Sequence, residues 1–219
     1  ERATREISLK TAKKFQEIGA THFVSSPVQS WDWANPKELN NDEVAQFIKM
    51  LSEVDQICQD HGLVQVLHPH LQTVVETKQD FDRVLDNSDV MWCLDTGHMT
   101  IGGENTVEFA RKYANRVGHV HLKDVNMGSV PPVLARKQSI MEGVQKGLFT
   151  PLGKGDVPIL ETILALEEAG YQGWYVIEQD VAISGEIPAL GEGPITAIKE
   201  SLDYLHNIVA PALSALQSK

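Results

Sequence analysis

Acids and imidazoles recur where β-prone apolar runs come to an end. In Trp92-Cys93-Leu94-Asp95-Thr96-Gly97-His98 the run stops at an aspartate, and Gly118-His119-Val120-His121-Leu122-Lys123-Asp124 carries two histidines, a lysine and an aspartate. Runs ending in His68 and in Glu178 lie on either side of this pair. A carboxylate buried at a strand end is costly unless a cation or a substrate compensates it, and several ligand types arriving together suit a metal. Side chains alternate along a strand, which tests direction. Val64, Val66 and His68 share a face, as do Met91, Cys93 and Asp95, then His119, His121 and Lys123, then Val176 and Glu178. One face per strand can therefore bring His68, Asp95, His121 and Glu178 to one centre. Two imidazoles and two carboxylates make a mixed nitrogen and oxygen shell, suited to Mn²⁺, Co²⁺, Zn²⁺ or Fe²⁺ and less to Ca²⁺. His70, two residues past His68, and Lys123, two past His121, would stand above that centre within reach of a substrate.

Each of these residues also has a plainer use. An aspartate at a strand end, such as Asp95, commonly caps a helix or forms a turn, and His98 serves as well to cap a turn as to support or bind a metal. Two imidazoles on one face of a buried strand rarely serve packing alone, and Glu178 within Tyr-Val-Ile-Glu-Gln-Asp needs a buried partner. Other motifs fail. The stretch 147–155 ends in Gly-Lys-Gly, but a phosphate loop wants Ser or Thr after the lysine and one residue fewer between its glycines. Gly102-Gly103 is a turn, no serine elbow appears, and Cys93 runs along a core strand.

The elements that must position these residues alternate. Residues 5–18 are an amphipathic helix ended by Gly19, 21–24 a strand, and 25–35 a loop holding Pro27, Trp31 and Trp33. Asn40 or Asn41 caps a helix with the stripe Val44, Phe47, Ile48, Leu51, Val54, Ile57 and Cys58, and Gly62 follows its end. Strands over 64–68, 90–95, 117–122 and 174–178 are separated by a short helix around Phe81 to Leu85, a helix over 107–113, and one opened by Asp156 and Pro158 and stopped by Gly170. A last helix runs from about 196 to 209, where Pro211 discourages continuation. The segment 125–154 exceeds an ordinary βα loop, contains a helix over 133–144, and is expected to be an inserted lid. With no hairpin signal, α followed by about five βα units implies parallel strands, whose C-terminal ends collect the functional groups.

The 219 residues suffice for one barrel-sized domain. A net charge of -11 argues against a nucleic-acid surface. The absence of a bilayer-length apolar run or a signal-peptide pattern leads us to expect a soluble, cytoplasmic protein without a membrane partner. The two cysteines, Cys58 and Cys93, read as small buried hydrophobes and not as a disulfide framework.

Leu94-Asp95-Thr96-Gly97-His98, His119-Val120-His121-Leu122-Lys123-Asp124 and Gly173-Trp174-Tyr175-Val176-Ile177-Glu178-Gln179-Asp180 resemble the xylose-isomerase-like TIM-barrel superfamily of sugar phosphate isomerases and epimerases. His68-Pro69-His70 with Thr73-Val74-Val75, and Lys146-Gly147-Leu148-Phe149-Thr150 running into Gly153-Lys154-Gly155, resemble its inosose dehydratases most. The resemblance implies an α/β (β/α)8 barrel with a divalent metal held at its mouth by His68, Asp95, His121 and Glu178. It further implies that residues 1–219 are a single domain showing the fourth to eighth strands, without the first three βα units. Many isomerases and epimerases of the superfamily have Glu where His68 stands, giving two carboxylates on opposite faces of one carbon, so the histidine shifts the expectation toward elimination. The expected function is a metal-dependent carbon-oxygen lyase dehydrating a polyol ketone, in inositol or related carbohydrate metabolism. Mn²⁺ or Co²⁺ is favoured, with Zn²⁺, Fe²⁺ and Mg²⁺ admitted, and the substrate is a small sugar or cyclitol. His70 or Glu178 would be the base and His98 or Lys123 the acid. The rivals are a metal-dependent sugar isomerase or epimerase and a non-catalytic barrel subunit of a larger assembly; a homo-oligomer is also open.

Overall fold

A computed structural model of the chain describes residues 2–30, 36–183 and 185–218. Trp31, Trp33 and the end of the loop expected over 25–35 lie outside the described residues. The chain divides into two compact units, Glu1–Leu94 with Asn115–His119 and Asp95–Ala114 with Val120–Lys219.

The first unit opens with α1 (Arg2–Glu17), after which Gly19 takes φ 74°, a left-handed conformation that costs glycine little. β1 (His22–Ser25) leads to α2 (Asn41–Asp60), whose start is fixed by a capping box. There Asn40 Oδ1 accepts from the Asp42 and Glu43 amides at 3.0 Å each, and Glu43 Oε2 accepts from the Asn40 amide at 2.9 Å. β2 (Val64–Leu67), α3 (Lys78–Asn87) and β3 (Met91–Asp95) follow, α3 carrying its own capping box between Thr77 and Asp80. β1 and β2 pair in parallel from His22 with Val64 to Ser25 with Leu67, and β2 pairs β3 through Val66 with Met91. Ala12, Phe23, Val54, Ile57, Cys58 and Leu63 form the core between the helices and this sheet, with Phe15 and Ala20 packed against it.

In the second unit the chain turns directly from β3 into α4 (Thr96–Ile101), then runs through α5 (Thr106–Tyr113) to β4 (Val117–Leu122) and β5 (Asp124–Val125). After α6 (Pro131–Leu134), α7 (Ile140–Gln145) and β6 (Phe149–Thr150) come α8 (Ile159–Glu168), β7 (Tyr175–Ile177), α9 (Pro194–Tyr204) and α10 (Ala210–Gln217). β4 pairs β7 in parallel, Val120 with Tyr175 to Leu122 with Ile177. The hydrogen-bonded strand order is β1-β2-β3-β4-β7, with β3 and β4 running through the division. Five parallel strands joined by helical crossovers are what the alternating pattern predicts.

Several expectations need correction. The helix expected over 133–144 is two short helices, because Arg136 takes φ 56° between them and Ser139 opens the second with a capping box. Asp156 does not cap α8; its carboxylate accepts from the Met127 amide at 2.8 Å, and α8 starts without a side-chain cap. No hairpin was expected, yet β5 and β6 pair antiparallel, Asp124 with Thr150 and Val125 with Phe149. Pro211 does not end the last helix. A π-turn over Leu205–Val209 precedes α10, which puts the proline in a first turn, where a missing N–H needs no partner.

Candidate metal centre

Asp95 is the last residue of β3 and the N-cap of α4 at once. Its carboxylate, 0% exposed, uses Oδ1 to accept from the His98 amide at 2.7 Å. The plain reading of this residue as a helix cap therefore holds, and it occupies one oxygen only. The other, Oδ2, lies 3.7 Å from His121 Nδ1. Alternation along β4 carries His121 to this side, and β7, in register beside it, delivers Glu178 just past its end. Glu178 Oε2 is 2.7 Å from His121 Nδ1, and the Glu178 amide donates to the Leu122 carbonyl.

The second oxygen of Glu178 is held too: Lys123 Nζ donates to Oε1 at 3.0 Å. Burial would raise the Glu178 carboxyl, but the His121 hydrogen bond and the Lys123 ammonium outweigh it and hold the group below its ordinary value. Each carboxylate thus has one oxygen tied by a donor and one presented toward His121. Asp95, His121 and Glu178 each offer a ligand atom within 4.8 Å of the others. An oxygen, nitrogen, oxygen set with its remaining oxygens already hydrogen-bonded fits a divalent first-row metal, whose ligands must be deprotonated and oriented. Two carboxylates this close, one of them wholly buried, need compensating positive charge, which Lys123 supplies from one side only.

Lys123 does not stand above the centre as expected. It is 0% exposed, with Nζ 2.8 Å from Asp180 Oδ2, 3.1 Å from His98 Nε2, and 4.7 Å from the centroid of the Phe149 ring. Burial would lower its pKa, and the Asp95, Glu178 and Asp180 carboxylates reverse that and raise it. An ammonium only donates, so Nε2 of His98 is the acceptor and the His98 ring proton sits on Nδ1. His98 is itself 2% exposed and packs edge-on to Phe149, ring centroids 5.7 Å apart.

In the first unit, His68 follows β2, 7% exposed, and its ring meets His70 edge-on at 5.6 Å. The Leu71 carbonyl lies 2.7 Å from His70 Nδ1, which places a proton on that nitrogen. His119 packs near His22, ring centroids 5.8 Å apart, so the two histidines of β4 have different surroundings.

One functional arrangement escaped the sequence. Asp124, 1% exposed, accepts from four backbone amides: Val125 at 2.8 Å, Gly153 at 2.8 Å, Gly155 at 3.0 Å and Val157 at 3.1 Å. The glycine loop rejected as a phosphate cradle wraps a carboxylate of its own chain. Its only signal was an acid directly after Lys123 and a Gly-x-Gly far downstream.

Comparison with known proteins bears on this geometry. The family model described as xylose isomerase-like TIM barrel matches residues 1–208, and the chain belongs to that family. Inosose dehydratase of Clostridium perfringens is 35% identical over 154 residues, covering 68% of this chain and 52% of that protein. Inosose dehydratase of Geobacillus kaustophilus is 32% identical over 231 residues, covering 98% of this chain and 73% of that one. The chain thus spans about half the length of the first of these relatives and about three quarters of the second. Among solved structures, the IolI protein with a bound zinc atom superposes with a TM-score of 0.68 at 17% identity, covering 94% of this chain and 69% of that one. D-Allulose 3-epimerase of Methylomonas sp. in complex with D-allulose gives 0.65 at 16% identity, covering 93% and 68%. These likenesses establish a TIM-barrel type of fold, and the relatives so named are enzymes.

Proposed function

We propose that the chain carries the metal centre of a lyase that dehydrates a polyol ketone, resembling an inosose dehydratase. The observation that carries this is the fully buried Asp95 carboxylate converging with His121 and Glu178, each carboxylate having its spare oxygen tied back. The proposed ligands are Asp95, His121 and Glu178, with His68 added on the family resemblance, and Mn²⁺ or Co²⁺ is the ion favoured over Zn²⁺, Fe²⁺ and Mg²⁺. When bound there, such an ion would supply Lewis-acid polarisation of a carbonyl or neighbouring hydroxyl, which would acidify the adjacent C–H. His70 takes that proton through Nε2, since Nδ1 is already protonated against Leu71, or Glu178 takes it. The β-hydroxyl leaves as water after accepting a proton from His98 Nδ1, and the Lys123 ammonium behind Nε2 can replace it. His68 in place of a carboxylate is the reason for preferring elimination to epimerisation.

The inosose dehydratase relatives support the substrate class, a small cyclitol or sugar. No helix among the described residues is long and apolar enough to cross a membrane, and a cytoplasmic location is the one proposed. We read 1–219 as one barrel domain. In the first unit a hollow of about 570 Å³ is lined by Ile7, Phe23, Phe47, Met50 and Leu51 among others. The segment 125–154 is proposed as a lid, because its returning strand brings Phe149 against both His98 and Lys123.

Two measurements test the reading. Asp95→Ala and His121→Ala should each lower bound metal below one-tenth of the wild-type stoichiometry by elemental analysis; undiminished metal in both ends the proposal. With metal bound, the product of an inosose should be lighter by one water. An unchanged mass with deuterium incorporated from D₂O would instead make the protein an isomerase or epimerase.

A further inference from the structure

Lys123 is a wholly buried cation. Its three N–H groups are all used, by Glu178 Oε1 at 3.0 Å, Asp180 Oδ2 at 2.8 Å and His98 Nε2 at 3.1 Å. A buried lysine reaches such a position only if its stem has room. That room comes from Gly97: a Cβ there would stand 2.7 Å from Lys123 Cγ and 3.0 Å from both Cβ and Cδ. Gly97 lies in α4, where glycine is unfavourable relative to alanine by about 1 kcal/mol. The second residue of α4 thus carries a helix-weakening glycine, and the space left is filled by the lysine stem. Phe149 covers the ammonium from another side, 4.7 Å from ring centroid to Nζ.

We propose that Lys123, seated by Gly97, is a positioning residue that makes Glu178 a one-oxygen metal ligand and holds His98 in its Nδ1–H form. The inference rests on the metal site proposed above. Without the ammonium, Oε1 of Glu178 loses its donor, and Glu178 is no longer held with Oε2 toward His121 and the ion. His98 loses the donor that fixes its tautomer.

The test uses the whole chain loaded with Co²⁺, comparing Lys123→Met, which keeps most of the stem, with Gly97→Ala, which keeps every polar partner but displaces the stem. Metal affinity should fall about 10- to 100-fold in each, the range typical of lost partners to metal ligands. The visible Co²⁺ spectrum, which reports coordination number and geometry, should change in the same direction in both. Affinities no more than twofold weaker than wild type, or an unchanged spectrum, would overturn the proposal. Should Lys123→Met not fold, Gly97→Ala decides through the same affinity and spectrum. Failure of the metal site itself shows separately, as undiminished metal in Asp95→Ala and His121→Ala; there the wild type binds Co²⁺ elsewhere.

Discussion

Glu178 and Asp95 would repel each other as bare carboxylates, yet each has one oxygen fixed away from the other, by Lys123 Nζ and by the His98 amide. That division is what lets two acids approach a single imidazole from two strands. The same burial argument predicts the behaviour of the cysteines. Cys58 is 0% exposed, and burial first, then the Asp55 carboxylate, pushes its thiol up to about 12. Cys93 is also 0% exposed, within β3. In the native protein at pH 8 neither thiol should react with a disulfide reagent over minutes, and both should react after denaturation. A fast-reacting native thiol would mean the core over Cys58 or Cys93 opens readily. At this scale much was legible in the sequence, because strand alternation alone assigns Asp95, His121 and Glu178 their directions. The placement of Lys123 was not: alternation put it on the right face, but only the gap at Gly97 draws its long stem inward.

The elements show where local signals suffice and where they do not. Asn40 announces α2 because cap and acceptors lie within three residues, and Asn40→Ala should cost about 1 kcal/mol in urea unfolding. Asp124 works over a longer range. Its partners Gly153, Gly155 and Val157 come after the whole 125–154 segment, so one carboxylate pins the returning end of that excursion to its start. Asp124→Ala leaves those buried amides without an acceptor and should cost about 3 kcal/mol or more, well above the loss of a cap. Gly155→Ala should destabilise as well, since a Cβ there would collide with the Asp124 carboxylate and the Val125 carbonyl. A loss for Asp124→Ala no larger than for Asn40→Ala would show the cradle to be incidental. Sequence patterns miss this device because backbone donors carry no side-chain signature. α4 was missed for a related reason: a single turn and a half beginning at Asp95 has too few residues to show a period, and its glycine argues for a loop. The break between α6 and α7 turns on the left-handed backbone of Arg136, a residue type that gives no warning of it.

For the whole molecule, the metal proposal has a thermodynamic consequence that does not depend on turnover. Asp95, His121 and Glu178 come from separate strands, so an unfolded chain cannot keep them together, and an ion that needs all of them binds only the folded state. Such binding stabilises by RT ln(1 + [L]/Kd), about 2.7 kcal/mol when free metal is 100-fold above Kd. For a chain of 219 residues, a kilocalorie moves the melting temperature by about 2–4 °C, so saturation should raise it by about 5–10 °C. Adding a chelator should remove the rise. Asp95→Ala should melt at a temperature insensitive to metal, while Asn40→Ala should melt lower yet keep the full metal-induced rise, because its cap is remote from the ligands. If the wild type binds one equivalent of metal by elemental analysis and its melting temperature stays fixed, the ion sits where the unfolded chain can hold it equally well. A local cluster of acids would do that, whereas a centre assembled from three strands would not.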